Sequence, residues 1–104
     1  MAEEIKRTIF QGTELKFGVE ITSEGFSMQD DDFKVVVKNM KHEKEIRKED
    51  MLVDGEDNYI FTLDTSEFGT GDYWAFVYAY VPDADFDDGL RTEIQKIKLC
   101  TVMS

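Results

Sequence analysis

The sequence predicts a small all-β domain, a sandwich or a small barrel, and three observations carry that expectation. Apolar and polar residues alternate with a period of two in several separate segments, turn-forming residues punctuate the chain at short intervals, and β-branched and aromatic residues concentrate between them. With 104 residues there is room for one ordinary core, so residues 1–104 are read as a single domain. The 41% hydrophobic and 12% aromatic content suffices to order that core despite 34% charged residues.

Residues 5–10 read as a short first strand, which Gln11 and Gly12 break. From Glu14 to Thr22 the alternation is clean: Leu15, Phe17, Val19 and Ile21 point one way, Lys16, Gly18 and Glu20 the other. Ser23, Glu24 and Gly25 form a turn, and Gln29 to Asp32 continue a polar loop. In residues 33–38, Phe33, Val35 and Val37 share one face and Lys34, Val36 and Lys38 the other. Residues 41–50 hold Ile46 as their only apolar side chain, so they read as a solvated edge strand, with one helical turn as the alternative. Lys and Glu along such an edge deter pairing with another sheet. After the turn signal Asp54-Gly55, Tyr59, Phe61 and Leu63 alternate with Ile60, Thr62 and Asp64. The most apolar run, 73–81, is followed by an acidic loop at 82–89 and a closing strand at 91–102. The apolar phase of that last strand slips between Ile94 and Ile97, which predicts a bulge near Gln95 and Lys96.

Within residues 59–77, Phe61 and Leu63 precede the small-residue corner Phe68-Gly69-Thr70-Gly71, and Tyr73 follows two residues after Gly71. The pattern resembles Gly-x-Tyr-x-Cys at the E-to-F corner of immunoglobulin-like domains, with Ala75 in place of the cysteine. The resemblance implies an immunoglobulin-like antiparallel β-sandwich of about seven strands, in which Tyr73 packs in the corner and bonds back to upstream backbone. With no cysteine at 75, the antibody-type disulfide is not part of what it implies. A longer resemblance is carried by Phe68-Gly69-Thr70-Gly71-Asp72-Tyr73 and by the run from Val81-Pro82-Asp83 through Arg91-Thr92-Glu93. That stretch is similar to small phage or prophage proteins, in particular the N-terminal domain of phage baseplate upper proteins. It implies a non-catalytic assembly module of a phage tail or baseplate, with a virion location and no catalytic residue.

Charge and cysteine content exclude several functions. A net charge of −11 repels a phosphate backbone and an anionic membrane, so neither nucleic acid nor membrane is an expected partner. The charge is uneven: residues 49–90 hold 12 acids and no Lys or Arg, whereas residues 1–48 hold 9 basic and 10 acidic side chains. Such a distribution suits a soluble acidic surface, a cation site or a basic partner. Cys100 is the only cysteine, so an intrachain disulfide or a multi-cysteine zinc site is ruled out, and it is expected to fill sheet packing. No signal peptide and no span of apolar residues long enough for a bilayer is visible, so cytoplasmic synthesis is the expectation.

Two features carry candidate chemistry. In the loop at 83–89, Asp83, Asp85 and Asp87 alternate as calcium ligands would. The calcium-loop pattern is half met, because Asp88 stands where it needs Gly and Ile94 where it needs a bidentate Glu. Read otherwise, the loop is a solvated connection whose carboxylates cap local backbone. The second feature is the row Trp74, Phe76, Tyr78 and Tyr80. If Tyr73 is the corner residue, Ala75 and Val77 face the core and the four aromatics project from the opposite face, as a surface for protein partners or self-assembly into a homo-oligomer. The same row could stack sugars in a carbohydrate-binding module. Enzymatic activity is not expected: His42, the only histidine, sits in a charged stretch with no nucleophile beside it.

Overall fold

The computed structural model describes residues 8–55 and 58–104. Eight strands lie among them: β1 (Thr8–Phe10), β2 (Glu14–Val19), β3 (Phe33–Lys38), β4 (Glu43–Arg47), β5 (Leu52–Val53), β6 (Tyr59–Asp64), β7 (Gly71–Pro82) and β8 (Leu90–Met103). A 3-10 turn occupies Lys48–Asp50 and a single helical turn, α1, Thr65–Phe68. The strands form one five-stranded sheet, ordered β1-β8-β7-β3-β4, and one three-stranded sheet, ordered β2-β6-β5.

The protein is therefore all-β, but its pairing is mixed. Strand β1 runs parallel to the end of β8, with Thr8 opposite Thr101, and the remaining ladders are antiparallel. The expected first strand begins at Thr8 as far as the described residues go; Ile5 to Arg7 lie outside them. Residues 41–50 divide between both readings, since β4 is an edge strand and the next three residues make the 3-10 turn. Strand β2 ends at Val19, short of Thr22, and the two-residue β5 carries no alternation that would have announced it.

One core joins the two sheets. Leu15, Phe61 and Leu63 from the smaller sheet meet Phe33, Val35, Val37, Tyr73, Ala75 and Val77 from the larger. Phe33 meets Tyr59 edge to face at 5.1 Å between ring centroids, a favoured quadrupole arrangement across the layers. Strand β7 shows why a period of two builds this: its burial alternates from Tyr73 to Val81 without a break.

The turn between β6 and β7 holds the layers together. Asp64 caps α1 by accepting from the Ser66 amide at 2.9 Å, and hydrogen bonds from the Ser66 hydroxyl and that amide hold its carboxyl below the usual range. Thr65 is the one buried polar residue among the described residues; its Oγ1 accepts from the Gly12 amide and donates to the Thr13 carbonyl, both at 2.8 Å. Asn39 Nδ2, from the turn between β3 and β4, donates to the Phe68 carbonyl at 2.7 Å. The chain leaves α1 through Gly69 and Gly71, whose φ values of 87° and 112° disfavour any residue with a Cβ. Tyr73 is 0% exposed, and its hydroxyl donates to the Gly69 carbonyl at 2.6 Å. The corner expected from the sequence is thus formed. Cys100 is buried opposite Tyr73 in the ladder, in the packing position expected of it.

The bulge of β8 lies elsewhere than expected. Register shifts between Tyr73 and Trp74, whose partners are Cys100 and Lys98, so the extra residue is Leu99 rather than Gln95 or Lys96. Ile94 and Ile97 keep opposite faces of a regular stretch, and Ile94 is left 58% exposed. The ladder yields at Leu99 because Cys100 and Val102 must both turn inward beside the buried Tyr73 ring.

Two outcomes test the corner. Burial, with smaller contributions from Cys100 and Asp64, pushes the Tyr73 phenol up to about 12 from its ordinary 10.0. The folded state therefore holds its proton longer than the unfolded one. Its contribution is complete below about pH 10 and fades as pH rises towards 12. Urea unfolding should show Tyr73→Phe about 1 kcal/mol less stable than the parent at neutral pH, with the gap closing over that alkaline window. Thr65→Val should cost about 1–3 kcal/mol, because the Gly12 amide loses its partner in a half-buried site.

Candidate functional site

Tyr73 facing inward sets the parity of β7, and Trp74, Phe76, Tyr78 and Tyr80 accordingly line the outward face of the five-stranded sheet. The rings are not bare: each of the four residues is only half exposed. Lysines from the flanking strands lie across those of Trp74, Phe76 and Tyr78. Lys34 and Lys38 reach from β3, with Nζ 5.0 Å from the centroid of Tyr78 and 4.9 Å from that of Phe76. Lys96 and Lys98 reach from β8, with Nζ 4.3 Å and 5.9 Å from Trp74. Lys96 is also 5.7 Å from Phe76.

Register explains the arrangement. In the ladder Lys38 and Lys98 flank Trp74, Val36 and Lys96 flank Phe76, and Lys34 and Ile94 flank Tyr78. A lysine one strand away lays its aliphatic stem over the neighbouring ring and keeps the ammonium near water. The cover is thick enough to leave Val36, on the outward face, only 6% exposed. An ammonium over an aromatic face at an exposed site is worth about 0.5–1 kcal/mol, enough to bias the stem and little enough for the cation to change partners.

The electrostatics follow from the same rows. Lys34, Lys38, Arg47, Lys96 and Lys98 share the face with Glu43, Glu45 and Asp72. Lys34 pairs with Glu45 at 3.0 Å, Lys38 with Glu43 at 3.6 Å, and Lys98 with Asp72 at 3.5 Å. Hydrogen bonds from Lys34 and then Arg47 lower the Glu45 carboxyl, and the bond to Glu45 in turn raises Lys34. Asp72 is lowered first by the Thr101 hydroxyl and then by Lys98. Lys96 alone of the four lysines has no ion pair among the described residues. A chain of net charge −11 thus concentrates cations on one sheet face.

Two carboxylates of the acidic loop between β7 and β8, those of Asp83 and Asp88, have partners within the hairpin. Asp83 is engaged by Arg91 Nη1 at 2.5 Å and by the Asp85 amide at 3.0 Å. Its carboxyl lies below the usual range, first through the Asp85 amide and then through Arg91. Asp88 accepts from the Leu90 amide at 3.1 Å, while Asp85 and Asp87 are exposed. Among the described residues no group of three or more His, Cys, Asp or Glu side chains is placed to hold a metal ion. The carboxylates that are engaged cap local backbone and Arg91. Asp31 likewise accepts from the Ser27 amide at 2.8 Å, and Asp32 from the Phe33 amide at 3.0 Å.

The four aromatics were legible from alternation, and the lysines over them were not. Their signal is the shared parity of Lys34 and Lys38, and of Lys96 and Lys98, which gains meaning only once β3 and β8 are known to flank β7. His42 is exposed, and its ring lies 6.2 Å from that of Phe68. Among the described residues no helix is long and apolar enough to cross a membrane. Comparison with known proteins returns no matching family, no matching curated protein and no matching solved structure.

Trp74 is the only tryptophan and reports on this surface. Iodide should quench its emission more efficiently than neutral acrylamide because Lys96 and Lys98 attract the anion. Lys96→Met should lower the iodide quenching constant about two- to threefold, as expected for one charge some 6–7 Å away in water, and leave acrylamide quenching nearly unchanged.

Proposed function

We propose that the chain is a non-catalytic interaction module that docks a partner on the outward face of its five-stranded sheet. The observation that carries this reading is the lysine cover over Trp74, Phe76 and Tyr78. Stems and rings form a continuous apolar layer, and the ammonium groups above it select an acidic partner surface. The architecture we assign is immunoglobulin-like. Its support is the pairing of the first strand parallel to the last, the order β1-β8-β7-β3-β4 over β2-β6-β5, and the tyrosine bonded back across its corner.

A role without catalysis is supported by the use made of the polar groups. Thr65 is committed to backbone on both sides, and the lone histidine is exposed beside Phe68. The placement of such a module in a phage or prophage tail, and hence in a virion, is supported by the sequence resemblance alone. A carbohydrate-binding role draws on the same aromatic row, but neutral sugars stack on open ring faces, and lysines lie over those of Trp74, Phe76 and Tyr78.

Titration with polyglutamate as a mimic of an acidic surface tests the docking face. At moderate salt, where the repulsion set up by the net charge of −11 is screened, the Trp74 emission should change saturably. The response should weaken at high salt and disappear in Lys96→Glu/Lys98→Glu. A parent spectrum that ignores polyglutamate at every concentration would argue against an acid-selecting face.

A further inference from the structure

We propose that the partner of this face is a second copy of the chain, which brings to it the acidic loop at residues 83–89. The proposal rests on the docking reading above and supplies its occupant from chemistry already in the molecule. The face presents cations among aromatic rings, and the loop presents the complement. Asp85 and Asp87 are exposed on either side of Phe86, itself 46% exposed. Among the described residues that phenyl ring is not part of the core.

The loop is also preorganised. The Asp83 amide donates to the Gly89 carbonyl at 2.9 Å, the Phe86 amide to the Asp83 carbonyl at 3.2 Å, and the Gly89 amide to the Phe86 carbonyl at 2.9 Å. Arg91, the second residue of β8, clamps Asp83. An ordered loop loses little conformational freedom on docking, so its charges and its ring act in binding at low entropic cost.

Geometry makes the contact intermolecular. The loop joins Pro82 at the end of β7 to Leu90 at the start of β8, the same two strands that carry the aromatic row and two of its lysines. It therefore extends along these strands and cannot fold back over the face they form. One copy's loop meets another copy's face, a head-to-tail contact that leaves a loop free at one end and a face at the other. Repeated, it yields a ring if the rotation closes and a filament if it does not. The long-range repulsion between two chains of charge −11 sets the condition: the contact forms at moderate salt and high protein concentration, and excess salt dissolves it.

Sedimentation velocity over a wide concentration range, at several salt concentrations, tests the proposal on the full chain. The parent is expected to associate with concentration. A loop variant, Asp85→Lys/Asp87→Lys, and a face variant, Lys96→Glu/Lys98→Glu, should each weaken association by at least about tenfold. An equimolar mixture of the two variants should regain it, because each then offers the charge that the other lacks. That rescue also shows that both variants are folded, and circular dichroism melting checks each one alone. A parent that stays monomeric throughout while Trp74 still responds to polyglutamate overturns the second-copy proposal and leaves the docking face standing. A monomeric parent with no polyglutamate response removes both. Association that survives in both variants also overturns the proposal, since another surface then carries it. A response to heparin alone, with a monomeric parent, overturns it in favour of an anionic polysaccharide.

Discussion

The rest of the structure depends on the burial of the Tyr73 ring and the bond from its hydroxyl to the Gly69 carbonyl. A phenol fully enclosed in a corner cannot be turned outward without losing both its apolar contacts and its hydrogen bond. A slip of one residue in β7 would do that, and it would also drive Trp74 into a space sized for Ala75 and Val77. Parity along a twelve-residue strand is therefore set at one end. Because β7 lies between β8 and β3, its parity sets theirs through the ladder. The bulge at Leu99 is a consequence: β8 adds a residue so that Cys100 can share the inward side with Tyr73 while Lys98 stays opposite Trp74.

The outward face balances two demands. Four large aromatics in a row favour release from water, yet among the described residues no second layer covers the sheet on that side. Lysines one strand away resolve the conflict in the absence of a partner, since their stems cover the rings and their ammonium groups remain hydrated. The same side chains carry the charge that a partner would meet. Acids on the outer strands temper that charge without cancelling it, for Lys96 keeps no ion pair among the described residues. The result is a cationic area on an acidic molecule.

The loop between β7 and β8 shows how little a motif says without its surroundings. Alternating aspartates half meet a calcium-loop pattern and also suit a capped turn. In the structure Arg91 stands directly across the hairpin from Val81 and reaches Asp83, and backbone amides take up other carboxylate oxygens. An arginine eight residues away decides what the first aspartate does.

Much of this protein was decided by local pattern. Alternation of apolar and polar residues is a property of consecutive side chains, so strands β2, β3, β6 and β7 could be read directly, whereas the corner at Tyr73, and with it the inward sides of Ala75 and Val77, came from the resemblance to immunoglobulin-like domains. What alternation cannot convey is which strands lie side by side. The parallel seating of β1 on β8, the two-residue β5, the site of the bulge and the lysines over the aromatic row all arise from pairings between segments far apart in the chain. Those pairings are selected by the shared core and by hydrogen-bond register across strands. Neither exists until the chain has folded, and so only the tertiary structure could set them.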